Sequence, residues 1–371
     1  MNIAIVCYPT YGGSGVIATE LGLNLAKKGC NIHFISYDVP FRIKGFHDKV
    51  FFHNVNMPEY PLFQYPPYAL SLAAKISQVA QMVNLDIVHV HYAIPHTISA
   101  HIAKLIEKNI KIITTLHGTD ITVVGNHPSY FKVTQLALNL SDGITTVSNY
   151  LKNQTIATFG ETGEIKVIHN FVDTEKYKKD SRKCPKSKFA PEQEKIITHI
   201  SNFRPVKRPV EVVNIFNGIK KAVKSKLLMI GDGPERSKCE ELCHELGITD
   251  DVVFLGKLEN TNDILCISDL FLLPSTTESF GLSALEALSC ECPVVASNIG
   301  GLPEVVDNKI NGFLVDKDDI KQMIDSSLEI LKNNELRKKM GLKGREKAVE
   351  EFDVRKIIDI YIEYYEEILS K

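Results

Sequence analysis

The chain has 371 residues, 44% of them hydrophobic and 24% charged, which suits two ordinary globular domains and excludes extensive disorder. Its formal net charge of −2 lacks the basic excess of a nucleic-acid or membrane-surface binder. No run approaches the ~20 apolar residues of a membrane span, and the chain begins in a strand-like run without a leader. We therefore expect a cytoplasmic protein with no nucleic-acid partner and no stable membrane association.

Short apolar runs alternate with helical patterns from one end of the chain to the other. Strands are predicted at 2–8, 31–36, 86–90, 111–116, 143–147, 165–168, 195–201, 226–231, 251–254, 269–273, 292–296 and 312–315. Helices are predicted at 14–28, 68–83, 97–108, 207–223, 235–246 and 281–289, with a helical tail from 317 onward. This alternation is typical of α/β proteins built from βαβ units, with parallel sheets covered by helices on both faces.

A basic stretch marks the break between two halves, and a fresh β-α series begins after it at Lys195. Its cations, which we interpret as a solvated connector rather than a phosphate site, are Lys176, Lys178, Lys179, Arg182, Lys183, Lys186 and Lys188. We place an N-terminal domain at 1–169 and a C-terminal domain at 170–352. The last helix, at about 353–371, has one apolar face and is expected to pack back on the N-terminal domain.

The eight cysteines include two pairs that invite a metal interpretation. Cys239-x3-Cys243 and Cys290-x-Cys292 both lack the CxxC spacing of a structural zinc site. We expect all of these to be core or surface thiols.

Polar residues follow the predicted strands of the N-terminal half. Gly12-Gly13-Ser14-Gly15 precedes a helix, where glycines allow close backbone approach to a ligand and helix amides favour anions, although a plain tight turn is the alternative. His117-Gly118-Thr119-Asp120 ends another strand and is either a site element or a capped turn. His89 and His91 share one strand face and, with no carboxylate as third ligand, are interpreted as structural or substrate-facing rather than as a metal pair.

Three further signals follow strands of the C-terminal half. Arg204 and Lys207 lie three residues apart where a helix is predicted to begin. Cations at this end oppose the helix dipole and do not stabilise the helix, so we interpret the pair as binding a diphosphate. Gly231–Glu235 is a tight strand-to-helix turn that either is purely structural or presents backbone to a nucleotide base. Glu278 and Glu286 are eight residues apart, too far to act on one atom, so they are expected to accept hydroxyl groups from two sugars.

Together these residues resemble the retaining GT-B glycosyltransferases of family four. The resemblance spans the chain, and in family order its elements are the glycine loop 12–15, His117, Asn170-x2-Asp173, the Arg204/Lys207 pair, the Gly231–Glu235 turn and the E-x7-E element Glu278–Glu286. It implies two Rossmann-like, doubly wound parallel-sheet domains facing a central cleft. It also implies that the C-terminal domain binds a nucleotide sugar and the N-terminal domain an acceptor.

The resemblance implies roles for individual residues. Glu286 would take the ribose hydroxyls and Glu278 the donor sugar, while Arg204, Lys207 and the amides around Phe280–Leu282 would hold the diphosphate. His117 would position the sugar or support its developing charge, so His117, Glu278, Arg204 and Lys207 are expected to act in the transfer. The expected donor-binding residues are Gly13, Gly15, Asn202, Arg204, Lys207, Gly231, Glu278, Phe280, Gly281, Leu282 and Glu286.

Four N-terminal segments resemble more narrowly the family members that catalyse the first step of bacillithiol biosynthesis. In that step GlcNAc is transferred from UDP-GlcNAc to L-malate. These segments are Cys7–Gly22, His33–Ile35, Pro40–Arg42 and His89–His96. The expected acceptor-binding residues are Ser14, Tyr92, Thr119 and Asn149. No metal or other cofactor is expected, since no DxD motif is placed to hold a metal, and the resemblance makes a homodimer reasonable.

Two alternatives remain open. The first is a family-four transferase with a lipid or glycan acceptor, although segment 37–84 has too few cations for an amphipathic lipid-binding helix. The second is a non-catalytic nucleotide-sugar binder, which would not need His117 or Glu278. An NAD-dependent oxidoreductase is excluded because the glycine fingerprint and the ribose-binding acid are missing.

Overall fold

The computed structural model describes residues 1–10, 12–160, 162–180 and 185–371. Within these ranges the chain forms two compact units: the first comprises residues 1–170 and 355–371, and the second comprises residues 171–354. Tyr11 of the glycine segment and the connector residues Arg182, Lys183 and Cys184 lie outside the described residues.

The first unit is built on a seven-stranded sheet in which all neighbouring strands run parallel. Its strands are β1 (Asn2–Val6), β2 (Asn31–Ser36), β3 (Val50–Asn54), β4 (Ile87–His91), β5 (Lys111–Leu116), β6 (Gly143–Thr146) and β7 (Ile165–Val167). They lie in the order β3-β2-β1-β4-β5-β6-β7. The central strands are buried on both faces, as their unbroken apolar runs require in a parallel sheet.

Helices cover the two faces of this sheet. They are α1 (Gly13–Lys27), α2 (Tyr68–Val83), α3 (Ile98–Ile106), α4 (Pro128–Leu140) and α5 (Asn149–Phe159). In α2 the buried residues Leu72, Ile76 and Val79 recur at helical spacing and pack on Val88 and Val90 of β4. This core fixes the direction of β4 and hence the position of the residues that follow it.

The second unit repeats the architecture on a six-stranded parallel sheet. Its strands are β8 (Lys195–Ile200), β9 (Ser225–Ile230), β10 (Val252–Gly256), β11 (Leu270–Leu273), β12 (Val294–Ser297) and β13 (Gly312–Val315), in the order β10-β9-β8-β11-β12-β13. The predicted α/β fold with two doubly wound parallel sheets is confirmed.

Seven helices of the second unit and one last helix complete the described chain. They are α6 (Pro209–Lys220), α7 (Arg236–Glu245), α8 (Asn262–Leu265), α9 (Leu282–Ser289), α10 (Leu302–Val305), α11 (Ile320–Lys332), α12 (Asn334–Glu351) and α13 (Val354–Ser370). The core of the second unit joins Phe216 of α6, Met229 of β9 and Ile330 of α11. Within the described ranges, no helix is long and apolar enough to cross a membrane.

The residues of α13 from Arg355 onward belong to the first unit, although they follow the second unit in sequence. Its buried face carries Ile358, Tyr361, Tyr365 and Ile368 at helical spacing. Gly143 at the start of β6 leaves room for it, because a Cβ there would lie 2.6 Å from the Tyr364 hydroxyl. The C-terminal helix is therefore an integral layer of the first unit.

Candidate active site

Both sheets reverse their strand order at one point, and ligands of doubly wound sheets bind outside the carboxyl ends of the strands at such a point. In the first unit the reversal lies between β1 and β4, and in the second between β8 and β11. The loops that begin at Cys7, Tyr92, Ser201 and Pro274 therefore occupy the positions expected for binding residues.

The loop after β8 is fixed by a buried histidine. His199 Nδ1 lies 2.9 Å from the carbonyl oxygen of Leu272, which can only accept, so Nδ1 carries the proton. His199 Nε2 therefore accepts from the Ser201 hydroxyl at 2.8 Å, and Ser201 Oγ accepts from the Phe203 amide at 3.2 Å. Burial and the charge of Lys207 lower the pKa of His199 to about 4, which keeps the imidazole neutral.

The Gly231–Glu235 turn packs on the backbone of this same loop. Gly231 has φ of +119°, and a Cβ there would lie 1.7 Å from the Ser201 carbonyl oxygen. At Gly233 a Cβ would lie 2.0 Å from the Asn202 carbonyl oxygen. Both glycines are thus required by packing within the protein, which supports the structural interpretation of this turn.

Glu278, in the loop after β11, forms an ion pair with Lys207, in the segment after β8. Lys207 Nζ lies 2.6 Å from Glu278 Oε1, with 23% and 10% of the side chains exposed, respectively. The buried Ser275 hydroxyl donates to the same oxygen at 3.2 Å. The Thr276 amide donates to the carbonyl oxygen of Val206 at 2.8 Å, so the backbones that carry the two charges are also joined.

A pair of glycines that sequence reasoning did not single out holds the backbone of Glu278. The Gly301 amide donates to the Glu278 carbonyl at 3.0 Å, and a Cβ at Gly300 would lie 1.9 Å from that same oxygen. The adjacent Gly300-Gly301 in the sequence is the signal that could have indicated a close backbone approach.

The two glutamates of the E-x7-E element lie on different kinds of structure. Helix α9 begins only at Leu282, after Gly281 with φ of +103°, so Glu278 is in the preceding loop while Glu286 is a buried residue of the helix. The N-cap residue of α9 is Gly281, which has no side chain to cap the helix. Phe280 is buried and meets Phe352 edge-on, with ring centroids 5.6 Å apart. Near Phe280–Leu282, the helix therefore presents its positive end to an anion.

The basic pair does not lie in the first turn of a helix, which corrects the predicted helix start at 207. Pro205–Lys207 is a 3₁₀ turn, and α6 begins at Pro209 after Arg208 with φ of +50°. Arg204 and Asn202 are exposed, whereas Lys207 is half-buried against Glu278. Arg204 and Lys207 therefore precede α6 and do not lie within its first turn.

In the first unit, the two glycines of the loop after β1 differ in their surroundings. A Cβ at Gly15 would lie 2.5 Å from the Thr10 carbonyl oxygen and 2.8 Å from that of Tyr8. At Gly13, the first residue of α1, a Cβ would meet no described atom within 4 Å. Gly15 is therefore required for packing, whereas Gly13 leaves open space beside a helix N-terminus that no described side chain caps.

Asp120 fastens the loops after β4 and β5 together. Its Oδ1 accepts from the amides of His117 at 3.1 Å and Gly118 at 2.7 Å, and its Oδ2 accepts from the Ala93 amide at 3.1 Å. The side chain is completely buried, which raises the pKa of Asp120 to about 6 although the three amides act in the opposite direction. The capped-turn interpretation of Asp120 is therefore confirmed. Its carboxylate also accepts a hydrogen bond from the loop after β4, which the sequence did not indicate.

His117 is held by a second histidine at the end of β4. His91 Nδ1 and His117 Nε2 lie 2.9 Å apart, and the two rings are stacked with centroids 5.1 Å apart. Burial lowers the pKa of His117 to about 3 and that of His91 well below its usual range, so the pair is neutral. Tyr92, which has φ of +94°, also stacks on His117, with ring centroids 5.9 Å apart.

The expected acceptor residues all follow carboxyl ends of the first sheet. Ser14 is in the first turn of α1, Tyr92 follows β4, Thr119 follows β5, and Asn149 begins α5 after β6. Thr119 and Asn149 are exposed, and Ser14 and Tyr92 are half-buried. Arg42 forms an ion pair with Glu20 of α1 at 2.6 Å.

The cysteine pairs are separate from these loops. Cys239, Cys243, Cys290 and Cys292 are buried free thiols. Among the described residues, no group of three or more histidine, cysteine, aspartate or glutamate side chains could hold a metal ion.

Two doubly wound units, each with polar loops at its switch point, agree with the GT-B glycosyltransferase fold that the sequence resemblance implies. Comparisons with known sequences agree. Residues 11–176 match the family described as Glycosyltransferase Family 4, and residues 180–347 match Glycosyl transferases group 1. The chain is 45% identical over 371 residues to N-acetyl-alpha-D-glucosaminyl L-malate synthase of Bacillus anthracis, covering 100% of this chain and 97% of that protein.

The chain belongs to the family-4 glycosyltransferases. More distantly, it is 26% identical over 345 residues to an uncharacterized glycosyltransferase of Methanocaldococcus jannaschii, covering 92% of this chain and 91% of that protein.

Solved structures show the same fold. Sucrose-phosphate synthase from Thermosynechococcus elongatus superposes with a TM-score of 0.85 at 19% identity, covering 100% of this chain and 99% of that chain. HepE of Anabaena in complex with UDP and glucose superposes with a TM-score of 0.83 at 20% identity, covering 99% and 100%.

Proposed function

We propose that this glycosyltransferase moves GlcNAc from UDP-GlcNAc to the hydroxyl of L-malate with retention of anomeric configuration, as the first step of bacillithiol biosynthesis. The observation that carries the proposal is the 45% identity to the B. anthracis malate synthase over the whole chain. This alignment includes the N-terminal half, to which we assign the acceptor, and so it bears on malate as well as on the sugar nucleotide.

The second unit would hold the donor. We assign Glu286 to the ribose hydroxyls and Glu278 to the donor sugar, with Asn202 and Gly231 shaping the nucleotide side of the site. The diphosphate would be met by Arg204, Lys207 and the amides of Phe280, Gly281 and Leu282. The Lys207–Glu278 ion pair supports this assignment, because it holds the cation assigned to the diphosphate 2.6 Å from the carboxylate assigned to the donor sugar.

In the first unit we assign the acceptor to Ser14, Tyr92, Thr119 and Asn149, which supply hydroxyl and amide donors to the two carboxylates. The open space at Gly13 and the amide of Gly15 would face the donor phosphates at the start of α1.

The transfer needs no enzyme nucleophile in this proposal. The bond between the anomeric carbon and the β-phosphate oxygen breaks, and the malate hydroxyl attacks on the same face. Its proton passes to the departing diphosphate oxygen. Arg204, Lys207 and the positive end of α9 would offset the charge on UDP, so we propose that the reaction is independent of metal. His117, neutral because burial lowers its pKa to about 3, would hydrogen-bond the sugar.

We also propose a homodimer that forms through α4. Its exposed face carries an apolar stripe of Tyr130, Val133, Leu136 and Leu140, each between 42% and 51% exposed. Light scattering after gel filtration should show a dimer for the wild type and a monomer for Leu136→Asp. Leu62→Asp, which changes an 82% exposed loop residue, is the control and should remain dimeric. A monomeric wild type would refute this proposal.

We place the enzyme in the cytoplasm, and the unpaired state of the described cysteines supports a reducing compartment.

The proposed function is tested by UDP release from UDP-GlcNAc in the presence of EDTA, with and without L-malate, and by the mass of the product. Malate-dependent release with a GlcNAc-malate product is the expected result. Release that EDTA abolishes and a divalent ion restores would overturn metal independence. Tight UDP binding without malate-dependent release would refute malate and favour another acceptor.

A further inference from the structure

A buried polar ladder runs from the C-terminal helix to His117. The Tyr365 hydroxyl of α13 lies 2.7 Å from His89 Nδ1, and His89 Nε2 lies 2.6 Å from the Thr115 hydroxyl. Thr115 in turn bonds Thr145 at 2.6 Å. Each of these side chains is completely buried, so the hydrogen bonds are shielded from water and their partners are fixed.

The ladder continues along one face of β4. His89 and His91 are two residues apart on this strand, so both side chains lie on the same face, with ring centroids 4.5 Å apart. His91 then meets His117 through the 2.9 Å contact of their ring nitrogens. His117 is therefore connected through His91 and His89 to Tyr365, which lies 248 positions further along the chain.

The second nitrogen of His91 determines where the protons lie. Among the described residues, His91 Nε2 is buried and has no hydrogen-bond partner. A buried N–H without an acceptor is rarer in proteins than a buried acceptor without a donor. His91 therefore carries its proton on Nδ1 and donates it to His117 Nε2. Because His117 is neutral, its own proton must lie on Nδ1.

We infer that His91, supported by His89 and by Tyr365 of α13, is a positioning residue that fixes His117 as an Nδ1–H donor. This inference rests on the proposed function only for the role of His117 toward the sugar. His117 would then donate a hydrogen bond to a substrate oxygen and would not act as a general base, since Nε2 is occupied by the proton of His91. Helix α13 follows the second unit in sequence but packs in the first unit. Through Tyr365 it thus helps to orient His117.

The direct test is ¹⁵N NMR of the full-length protein labelled at histidine, with His117 assigned by the signal that His117→Gln removes. We expect wild-type His117 in the Nδ1–H form. In His91→Leu the fixed donor is gone, so His117 should populate both tautomers. In His91→Asn the amide group can donate in place of the imidazole, and the Nδ1–H form should persist. Wild-type His117 in the Nε2–H form would overturn the inference.

Activity provides a second readout. His91→Leu should lower kcat roughly tenfold, the effect of one net hydrogen bond, without raising KM for the donor, and His91→Asn should restore most of it. The matched control is His33→Leu, which removes another buried histidine whose ring bonds His53 on the neighbouring strand. An equal loss of kcat in both leucine variants would indicate a purely structural role for His91 and would refute the inference.

Tyr365→Phe tests the contribution of α13, because it keeps the ring and removes only the hydroxyl that bonds His89. We expect shifted His89 and His91 signals and a kcat lowered several-fold. Unchanged signals would remove α13 from the inference. If the wild type shows no malate-dependent transfer, the proposed function fails, but the tautomer of His117 still decides the inference.

Discussion

Gly13 and Gly15 are two residues apart, but the structure gives them different reasons to be glycine. Gly15 has backbone oxygens within 2.8 Å of a Cβ position, whereas the Cβ position of Gly13 is open. We predict that Gly15→Ala lowers the free energy of unfolding by about 1–3 kcal/mol. Gly13→Ala should leave stability within about 0.5 kcal/mol and raise KM for the sugar nucleotide roughly 10- to 100-fold. Urea unfolding and initial-rate kinetics on both variants measure this contrast.

The decisive outcome is the Gly13→Ala kinetics. An unchanged KM would mean that no ligand occupies the open space beside the first turn of α1.

The ion pair between Lys207 and Glu278 predicts opposite effects of its two members on UDP binding. Glu278→Gln keeps the Ser275 hydrogen bond and releases Lys207, so UDP should bind at least as tightly while transfer falls roughly 100-fold. Lys207→Met should weaken UDP binding about 10-fold or more, since a charge-assisted contact is lost. Isothermal titration with UDP, alongside transfer rates, separates the two, and weaker UDP binding by Glu278→Gln would contradict the assignment of Lys207 to the diphosphate.

At the scale of elements, Asp120 is the contact that holds the loops after β4 and β5 in register. Asp120→Asn can keep the two bonds from His117 and Gly118 to one oxygen, but its amide group would face the Ala93 N–H. We expect a loss of about 1–2 kcal/mol for asparagine and about 3 kcal/mol or more for alanine, which orphans three buried amides. Equilibrium urea unfolding measures both, and equal losses would mean that the amide bonds contribute little.

The sequence predicts elements best where local signals agree. Helix α2 was predicted at its observed bounds, because Pro67 precedes it, Asn84 follows it, and apolar residues recur at helical spacing between them. Strand β3 was missed because Val50–Asn54 is an edge strand with no fully buried residue, and its apolar run is only three residues long. Helices α4 and α5 were not singled out, since their exposed faces are partly apolar and their periodicity is weak.

The candidate site was predictable as a set of loops but not as contacts. Parallel strands place Tyr92, His117 and Glu278 at carboxyl ends, which follows from strand order alone. No local pattern shows that His89 bonds Tyr365, because that pairing depends on where a helix from the far end of the chain packs. The ion pair of Lys207 with Glu278 and the packing roles of Gly231 and Gly300 likewise required the fold.

At the scale of the whole molecule, buried neutral histidines are concentrated in the first unit. Burial lowers the pKa of His33 and His96 to about 4 and that of His89 to about 3. It also lowers the pKa of His91 well below its usual range. In the described part of the second unit, burial lowers the pKa of His199 to about 4. An unfolded histidine titrates near 6.5, so between pH 6.5 and each folded pKa the unfolded state binds more protons. Stability of the first unit must therefore fall as the pH falls below 6.5.

We predict that the urea midpoint of the first unit rises more than that of the second on going from pH 5.0 to pH 7.5. Each fully buried histidine loses about 2 kcal/mol of stabilisation between pH 6.5 and 5. Asp120 offsets part of this, because a carboxyl whose pKa is raised to about 6 favours the folded state as it is protonated.

Buried free cysteines report on the units separately, with Cys7 in the first and Cys239 in the second. Pulse labelling by a methanethiosulfonate across a urea series, read by peptide mass, gives both midpoints in the intact chain. A Cys7 midpoint that shifts no more with pH than that of Cys239 would show that the histidines titrate normally in the folded protein.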